Sequence, residues 1–383
     1  MNTFLCTMIV FLCTLDGFVR LRAILALFVA LIFLVINFNS IEYFRVSRKH
    51  IVFSFFASIL FIFYTILAIV NPDYYLQIPY DKEVFVFKVF DRLSLLILFF
   101  LIPFIFINKN NNTLNIFKNV TYFHSFIFIF QFVLYYIFSI KLDITSFLGI
   151  DQRTNFSLDG INFFRASGLY VEPSNYTAFI ATMFFPYIYM KKKLTYWDYI
   201  PIFTMFLTFS TAGFVTALFY TLGFFVKNRL IYKIKGILLS VLFILSCFIF
   251  ASFHLDRLES DNGVSSNLRS DLVNYVVEDR INNIPALFFG TGIYSYDYYI
   301  YMRETSSSGR DIASIQDFTI FLYNFITLGL FGILILFYLL LKTKGFSNKF
   351  FVFAIFISKM TYLFPIFIFF VVYILYAKKE EVK

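Results

Sequence analysis

Long apolar runs joined by short charged connections constrain this chain more than any other feature. They fall at roughly 2–18, 22–39, 51–70, 89–107, 119–140, 173–190, 197–209, 212–226, 235–253, 315–341, 348–358 and 362–377. Most approach the ~20 residues that a helix needs to cross a bilayer. A chain that is 60% hydrophobic and only 14% charged has too few charges to cover the surface of a soluble domain. The expectation is therefore an all-α, polytopic integral membrane protein with about 12 transmembrane helices, its residues 1–383 forming one membrane domain. Four runs are short. Those at 197–209 and 212–226 meet at Ser210-Thr211-Ala212-Gly213, and the pair at 348–377 divides around Lys359. These read as tilted, broken or re-entrant pieces. The first run has no small-residue cleavage site after it, and Arg20 and Arg22 lie on the wrong side for a signal peptide, so it reads as an anchor.

The net charge of +9 would suit a nucleic-acid partner only if it were gathered on one surface. Instead it sits in short connections, as membrane topology requires, and no nucleic acid is expected. Arg45, Arg48 and Lys49, then Lys109 and Lys118, then Lys191-Lys192-Lys193 occupy alternate connections. Lys227, Arg229, Lys233 and Lys235, then Lys342, Lys344 and Lys349, and finally Lys378-Lys379 continue the alternation. This basic face reads as cytoplasmic, with both termini on it, in a bacterial cytoplasmic (inner) membrane. Arg20 and Arg22 are the exception. The opposite face carries every long connection: 71–88 with Asp73, Asp81 and Glu83, then 141–172, then 254–314. A cytosolic nucleotide-using enzyme is excluded, and no GxxxxGK phosphate loop is present. Cys6, Cys13 and Cys247 lie inside apolar runs at no metal-ligand spacing.

Two external segments carry chemistry. In Phe163-Phe164-Arg165-Ala166-Ser167-Gly168-Leu169-Tyr170-Val171-Glu172-Pro173-Ser174 a polar loop gives way to an apolar helix. Pro173 suits the first helical turn, where its missing N–H costs nothing. Glu172 then faces the positive end of the helix dipole. A plain helix cap beside a loop arginine would read the same way. In the 254–314 loop, Leu268, Leu272, Tyr275, Val276 and Ile281 have helical spacing, with Arg269, Glu278, Asp279 and Arg280 on other faces. A short amphipathic helix at the membrane surface, stopped by Pro285, is expected. Gly290 and Gly292 permit a tight turn beyond it. Ile315-Gln316-Asp317-Phe318 begins the next span, which contains Leu328-Gly329-Leu330-Phe331-Gly332.

Taken in order, Arg165-x-x-Gly168-x-x-x-Glu172-Pro173-Ser174, Arg269, Pro285…Gly290-x-Gly292, the polar start at Asp317 and Gly329-Leu330-Phe331-Gly332 resemble the O-antigen polymerase (Wzy) family. That family belongs to the O-antigen ligase-like superfamily of bacterial surface-polysaccharide enzymes. The resemblance implies a C-type glycosyltransferase architecture. It also implies an activity that joins undecaprenyl-diphosphate-linked oligosaccharides at the outer face of the membrane, without a nucleotide sugar, cofactor or metal. The partners implied are those lipid-linked oligosaccharides, the bilayer and a chain-length regulator protein.

That chemistry can be set against the residues. Negative charge builds on the departing diphosphate, and arginine offers it a permanent charge and a planar fork of donors. Arg165 and Arg269 match the family's loop arginines and lead; Arg257, Arg303 and Arg310 follow as diphosphate ligands. An acceptor hydroxyl needs a proton acceptor. Glu172 and Asp317 are the candidates, Glu172 first, because His50 and His124 lie elsewhere and His254 reads as a helix end. The basic first external connection lacks the paired acids of metal-dependent C-type enzymes. Gln316-Asp317 stands where ligase relatives commonly carry a histidine, which favours polymerase over ligase. A lipid-linked oligosaccharide flippase and a structural subunit of an assembly complex remain as alternatives from other classes.

Overall fold

The computed structural model describes residues 2–16, 21–38, 48–70, 82–107, 112–148, 150–158, 161–191, 193–228, 273–274, 276–278, 280–294 and 318–376. Helices dominate. α1 (Asn2–Thr14) and α2 (Arg22–Ile36) pair with each other; α3 (Arg48–Val70) lies beside α4 (Lys82–Phe106), and α5 (Asn112–Phe138) follows. α2 packs on α4 and α1 on α5. Next come α6 (Pro173–Met190), α7 (Ile200–Phe206), α8 (Thr211–Lys227), α9 (Ile284–Phe289), α10 (Ile320–Lys342), α11 (Phe346–Ile357) and α12 (Pro365–Tyr376). α6 is the axis of the bundle. All of its residues except Asn175 and Met190 are buried, and it touches α5, α7, α8, α11 and α12.

Among the described residues, four helical stretches are long and apolar enough to cross a membrane: Arg48–Val70, Phe85–Phe106, Thr113–Phe138 and Ile320–Lys342. Five further apolar helices (α1, α2, α8, α11 and α12) are shorter, at 10–17 residues. α3 shows most plainly what solvent the chain is built for. It buries His50, Ser54, Tyr64 and Ala68, while Ile51, Val52, Phe55, Ile59, Ile62, Ile66 and Ile69 face outward. A water-soluble amphipathic helix would be arranged the other way round. These helices fit a membrane protein.

The breaks expected from sequence occur, with their causes visible. α7 ends at Phe206, and Ser210 caps α8 by accepting the Gly213 N–H at 3.0 Å. α11 ends at Ile357 and α12 begins at Pro365, leaving Lys359 in the connection. One expectation is refined and one corrected. The chain is all-helical as expected, but the 141–172 segment also contains a small antiparallel hairpin, β1 (Asn155–Leu158) and β2 (Ile161–Phe164), with Asn155 opposite Phe164. Pro285 does not stop a helix. The preceding helical piece ends by residue 282, Asn283 caps a new one through Ala286 N–H (3.3 Å), and Pro285 sits in the first turn of α9.

α10 is two helices joined at Gly329, whose φ of +64° and ψ of −152° leave the helical region. The break releases carbonyls that the α9 turn takes up. Thr291 N–H donates to Ile326 O (3.0 Å), Gly292 N–H to Thr327 O (2.8 Å), and Arg280 Nη2 to Ile326 O (3.0 Å). Backbone meets backbone here. A Cβ on Gly329 would lie 2.5 Å from the Phe288 carbonyl carbon, and one on Gly290 would lie 2.5 Å from Leu328 N. The two glycine motifs of the sequence are the two halves of one joint.

Candidate functional site

The 142–172 segment is strapped down before it reaches α6. Gln131 of α5 accepts the N–H groups of Ser167 and Gly168, both at 2.8 Å, and its own amide donates to Gln152 Oε1 (2.7 Å) and Leu142 O (2.8 Å). Gln152 Nε2 donates to Gly168 O (2.7 Å) and Tyr170 O (3.2 Å). Gly168 adopts φ +60°, which lets both consecutive N–H groups turn towards one oxygen. The Arg153 N–H donates to Val171 O and the Arg165 N–H to Thr154 O, each at 2.8 Å. Arg165 therefore leaves β2 on a backbone held from both sides, its side chain half-buried.

Glu172 has extended backbone geometry, and its carbonyl accepts the Tyr176 N–H (3.0 Å), opening α6. Its carboxylate makes no capping bond. Oε2 instead meets Lys359 Nζ at 3.0 Å and accepts from Ser174 Oγ at 3.2 Å, while Oε1 meets Arg153 Nη1 at 2.9 Å. Burial alone would raise the Glu172 pKa, but Lys359 and then Arg153 outweigh it and pull it down to about 2. The carboxylate is thus held ionised and is a weak base. Lys359 is mostly buried, whereas the Arg153 side chain is 73% exposed and free to reach outward from the pair.

A second charged group lies behind the first. Asp16, just past α1, accepts Val171 N–H (3.2 Å) and Asn175 Nδ2 (3.0 Å), so it grips the chain on both sides of Glu172. Arg22 of α2 lies 3.9 Å from Asp16 and 4.4 Å from the centre of the Phe364 ring. Asp91 and Arg92 of α4 form an ion pair near enough to act on Arg22. Arg92 Nε donates to Ile293 O at 3.4 Å, tying this group to the α9 turn. His124 completes the support. Thr14 spends its one hydroxyl proton on Phe11 O (2.6 Å), so His124 Nε2–H donates to Thr14 Oγ1 (3.0 Å) and Nδ1 accepts from Tyr170 OH (3.2 Å).

The structure thus gathers Glu172, Lys359, Arg153, Asp16 and Arg22 around the start of α6, with Arg165 on the strapped segment that leads into it. Arg269, Asp317, Arg257, Arg303, Arg310 and His254 lie outside the described residues. Sequence reasoning used Lys359 only as a divider and Arg22 only as a topological exception, and passed over Asp16, Arg153, Gln131 and Gln152. A cation between two apolar half-helices is expensive unless paired, and that expense was the available signal for Lys359. Counting Arg153, Lys359, Arg22 and Arg92 against Glu172, Asp16 and Asp91 leaves one positive charge in excess, before Arg165 is added. Such a site can hold an anion at a helix N-terminus. Compared with protein-family models, curated proteins and solved structures, the chain matches none.

Proposed function

We propose that this protein is a membrane glycan polymerase with about 12 spans. It transfers the growing undecaprenyl-diphosphate-linked glycan of an O-antigen, capsule or exopolysaccharide onto a new lipid-linked repeat unit at the outer face of the cytoplasmic membrane. The observation that carries this reading is the cation-rich site at the N-terminus of α6, fed by the strapped Arg165–Glu172 segment. In the proposed reaction an acceptor hydroxyl attacks the anomeric carbon and the glycosyl–diphosphate bond breaks. Arg165 and Arg269 neutralise the charge left on the diphosphate, with Arg153 and Lys359 beside them. A carboxylate whose pKa is drawn down to about 2 suits holding these cations in place. Glu172 is accordingly assigned to positioning, and Asp317 to accepting the proton.

The test uses purified protein and lipid-linked repeat units, without added metal and with chelator present. Arg165→Lys and Arg269→Lys keep the charge and lose the fork, and each should slow polymer formation by ~10²–10³-fold. Asp317→Asn should lose ~10²–10⁴-fold. Full activity in both lysine variants, or a wild type silenced by chelator, would overturn the mechanism. A ligase would instead attach finished polymer to a non-identical acceptor. One observation favours a second class: Asp16, Arg22 and Asp91 are ionisable groups buried inside the helical bundle, as a transporter would have. Polymer formation in detergent, with no ion gradient, separates the enzyme from the transporter.

A further inference from the structure

The 18 residues of α6 rise ~27 Å, close to the ~30 Å thickness of bilayer hydrocarbon. Its C-terminal end therefore lies about one bilayer away from Glu172, and a different arrangement is built there. Two ammonium groups share one aromatic ring: Lys191 Nζ lies 4.8 Å and Lys118 Nζ 5.9 Å from the centre of Tyr187. Lys118 also lies 5.2 Å from the centre of Tyr122. Among the described residues neither lysine has a carboxylate partner. Attraction to the ring holds each cation but does not cancel its charge. Against these two cations the cluster sets one buried carboxylate, Asp198, already engaged by Tyr122 and Thr195, which leaves a positive charge in excess for an anion to meet.

The same construction presents apolar surface. Tyr122 OH donates to Asp198 Oδ1 at 2.9 Å, and buried Asp198 accepts from Thr195 N–H (2.6 Å) and Thr195 Oγ1 (2.9 Å) through Oδ2. This ties the lysine-bearing rings to the turn at Tyr196–Tyr199, where Tyr196 is 86% and Trp197 70% exposed. A rigid turn displaying two amphipathic rings is the arrangement found where headgroups meet acyl chains.

We propose that Lys118, Lys191, Tyr196 and Trp197 form a binding site for the headgroup of an anionic phospholipid, at the bilayer surface opposite Glu172. The lysines take the phosphate and the rings lie against the glycerol and upper acyl chain. A free phosphate ion would match the lysines alone and leave the aromatic surface without a purpose. The site stands independently of the polymerase reading.

Trp197 is the only tryptophan in the chain, so its fluorescence reports on this turn without ambiguity. The full chain is placed in nanodiscs of phosphatidylcholine containing a minor fraction of lipid brominated near the top of its acyl chain. Brominated phosphatidylglycerol should quench Trp197 several-fold more effectively than brominated phosphatidylcholine at equal mole fraction. A lysine near an anionic surface contributes ~1 kcal/mol, or about five-fold, so the ceiling for two is roughly 25-fold. The double substitution Lys118→Gln/Lys191→Gln should abolish that preference while quenching by phosphatidylcholine persists. Lys342→Gln, removing a lysine that lies over Tyr338 alone, should leave it intact. Inorganic phosphate should not compete. Equal quenching by the two headgroups in the wild type would overturn the proposal, as would a preference that survives the double substitution. So would indifference to every brominated lipid, the result for a tryptophan facing water or a protein partner. If the glutamine pair aggregates, the charge-keeping Lys118→Arg/Lys191→Arg protein must still prefer phosphatidylglycerol, and losing that preference counts equally against the site.

Discussion

Removing the Glu172 carboxylate would take from the mostly buried Lys359 a counter-charge 3.0 Å away, a loss that in buried pairs costs ~3–5 kcal/mol. Glu172→Gln is therefore expected to lower the unfolding temperature clearly, although the helix start would survive because the carboxylate does not cap it. Adding Lys359→Met should recover part of the loss, and a double-mutant cycle should give a coupling of ~1–3 kcal/mol. Arg153→Gln should cost under ~1 kcal/mol, because that side chain is largely solvated. The acid dependence has a definite sign. The folded pKa of Glu172 lies below its ordinary 4.5, so its contribution is complete above that value and fades as pH falls towards 2. Wild-type stability should drop through this window more steeply than that of Glu172→Gln, as followed by thermal melts in detergent. The Arg165–Glu172 segment was legible in the sequence because its parts are contiguous. Lys359 stands 187 positions from Glu172, and Asp16 stands 155 from Val171, separations at which no periodicity pairs residues.

Helix ends and breaks follow from a few residues apiece, and here the sequence was readable in advance: Pro173, Ser210 and the polar gap around Lys359 all mark real boundaries. The 155–164 hairpin escaped because two four-residue strands are too short for alternation to stand out. Pro285 was misread because the same residue that ends one helix can open the next. Two glycines separate conformation from contact. At Gly168 a Cβ would meet nothing nearer than 3.6 Å, so Gly168→Ala should cost only the ~1–2 kcal/mol of a left-handed backbone. At Gly329 the same strain is joined by a backbone collision with Phe288, which cannot rotate away. Gly329→Ala should thus cost visibly more than Gly168→Ala, and equal melting temperatures for the two would refute the joint as described.

At the scale of the whole molecule, the orientation proposed from the basic connections can be tested directly. A cysteine at position 306 should react with an impermeant thiol reagent added outside, and one at position 347 should not. The native Cys6 and Cys13 are buried, and Cys247, outside the described residues, is replaced by serine for this test. The reverse pattern would turn the site at Glu172 towards the cytosol and remove it from any surface-glycan pathway. The helical, membrane-suited character of the chain was plain from hydropathy, whereas the inside-out packing of α3 and the strap through Gln131 required coordinates. The joint between α9 and α10 bears finally on the order in which the chain is made. Carbonyls exposed by a break within lipid cost several kcal/mol each unless something receives them. The donors at Arg280, Thr291 and Gly292 precede Ile326 and Thr327 in the chain, so a ribosome delivers the receiving half before the half that needs it. Were the two segments exchanged in sequence, the broken helix would reach the bilayer first, with nothing yet synthesised to satisfy it.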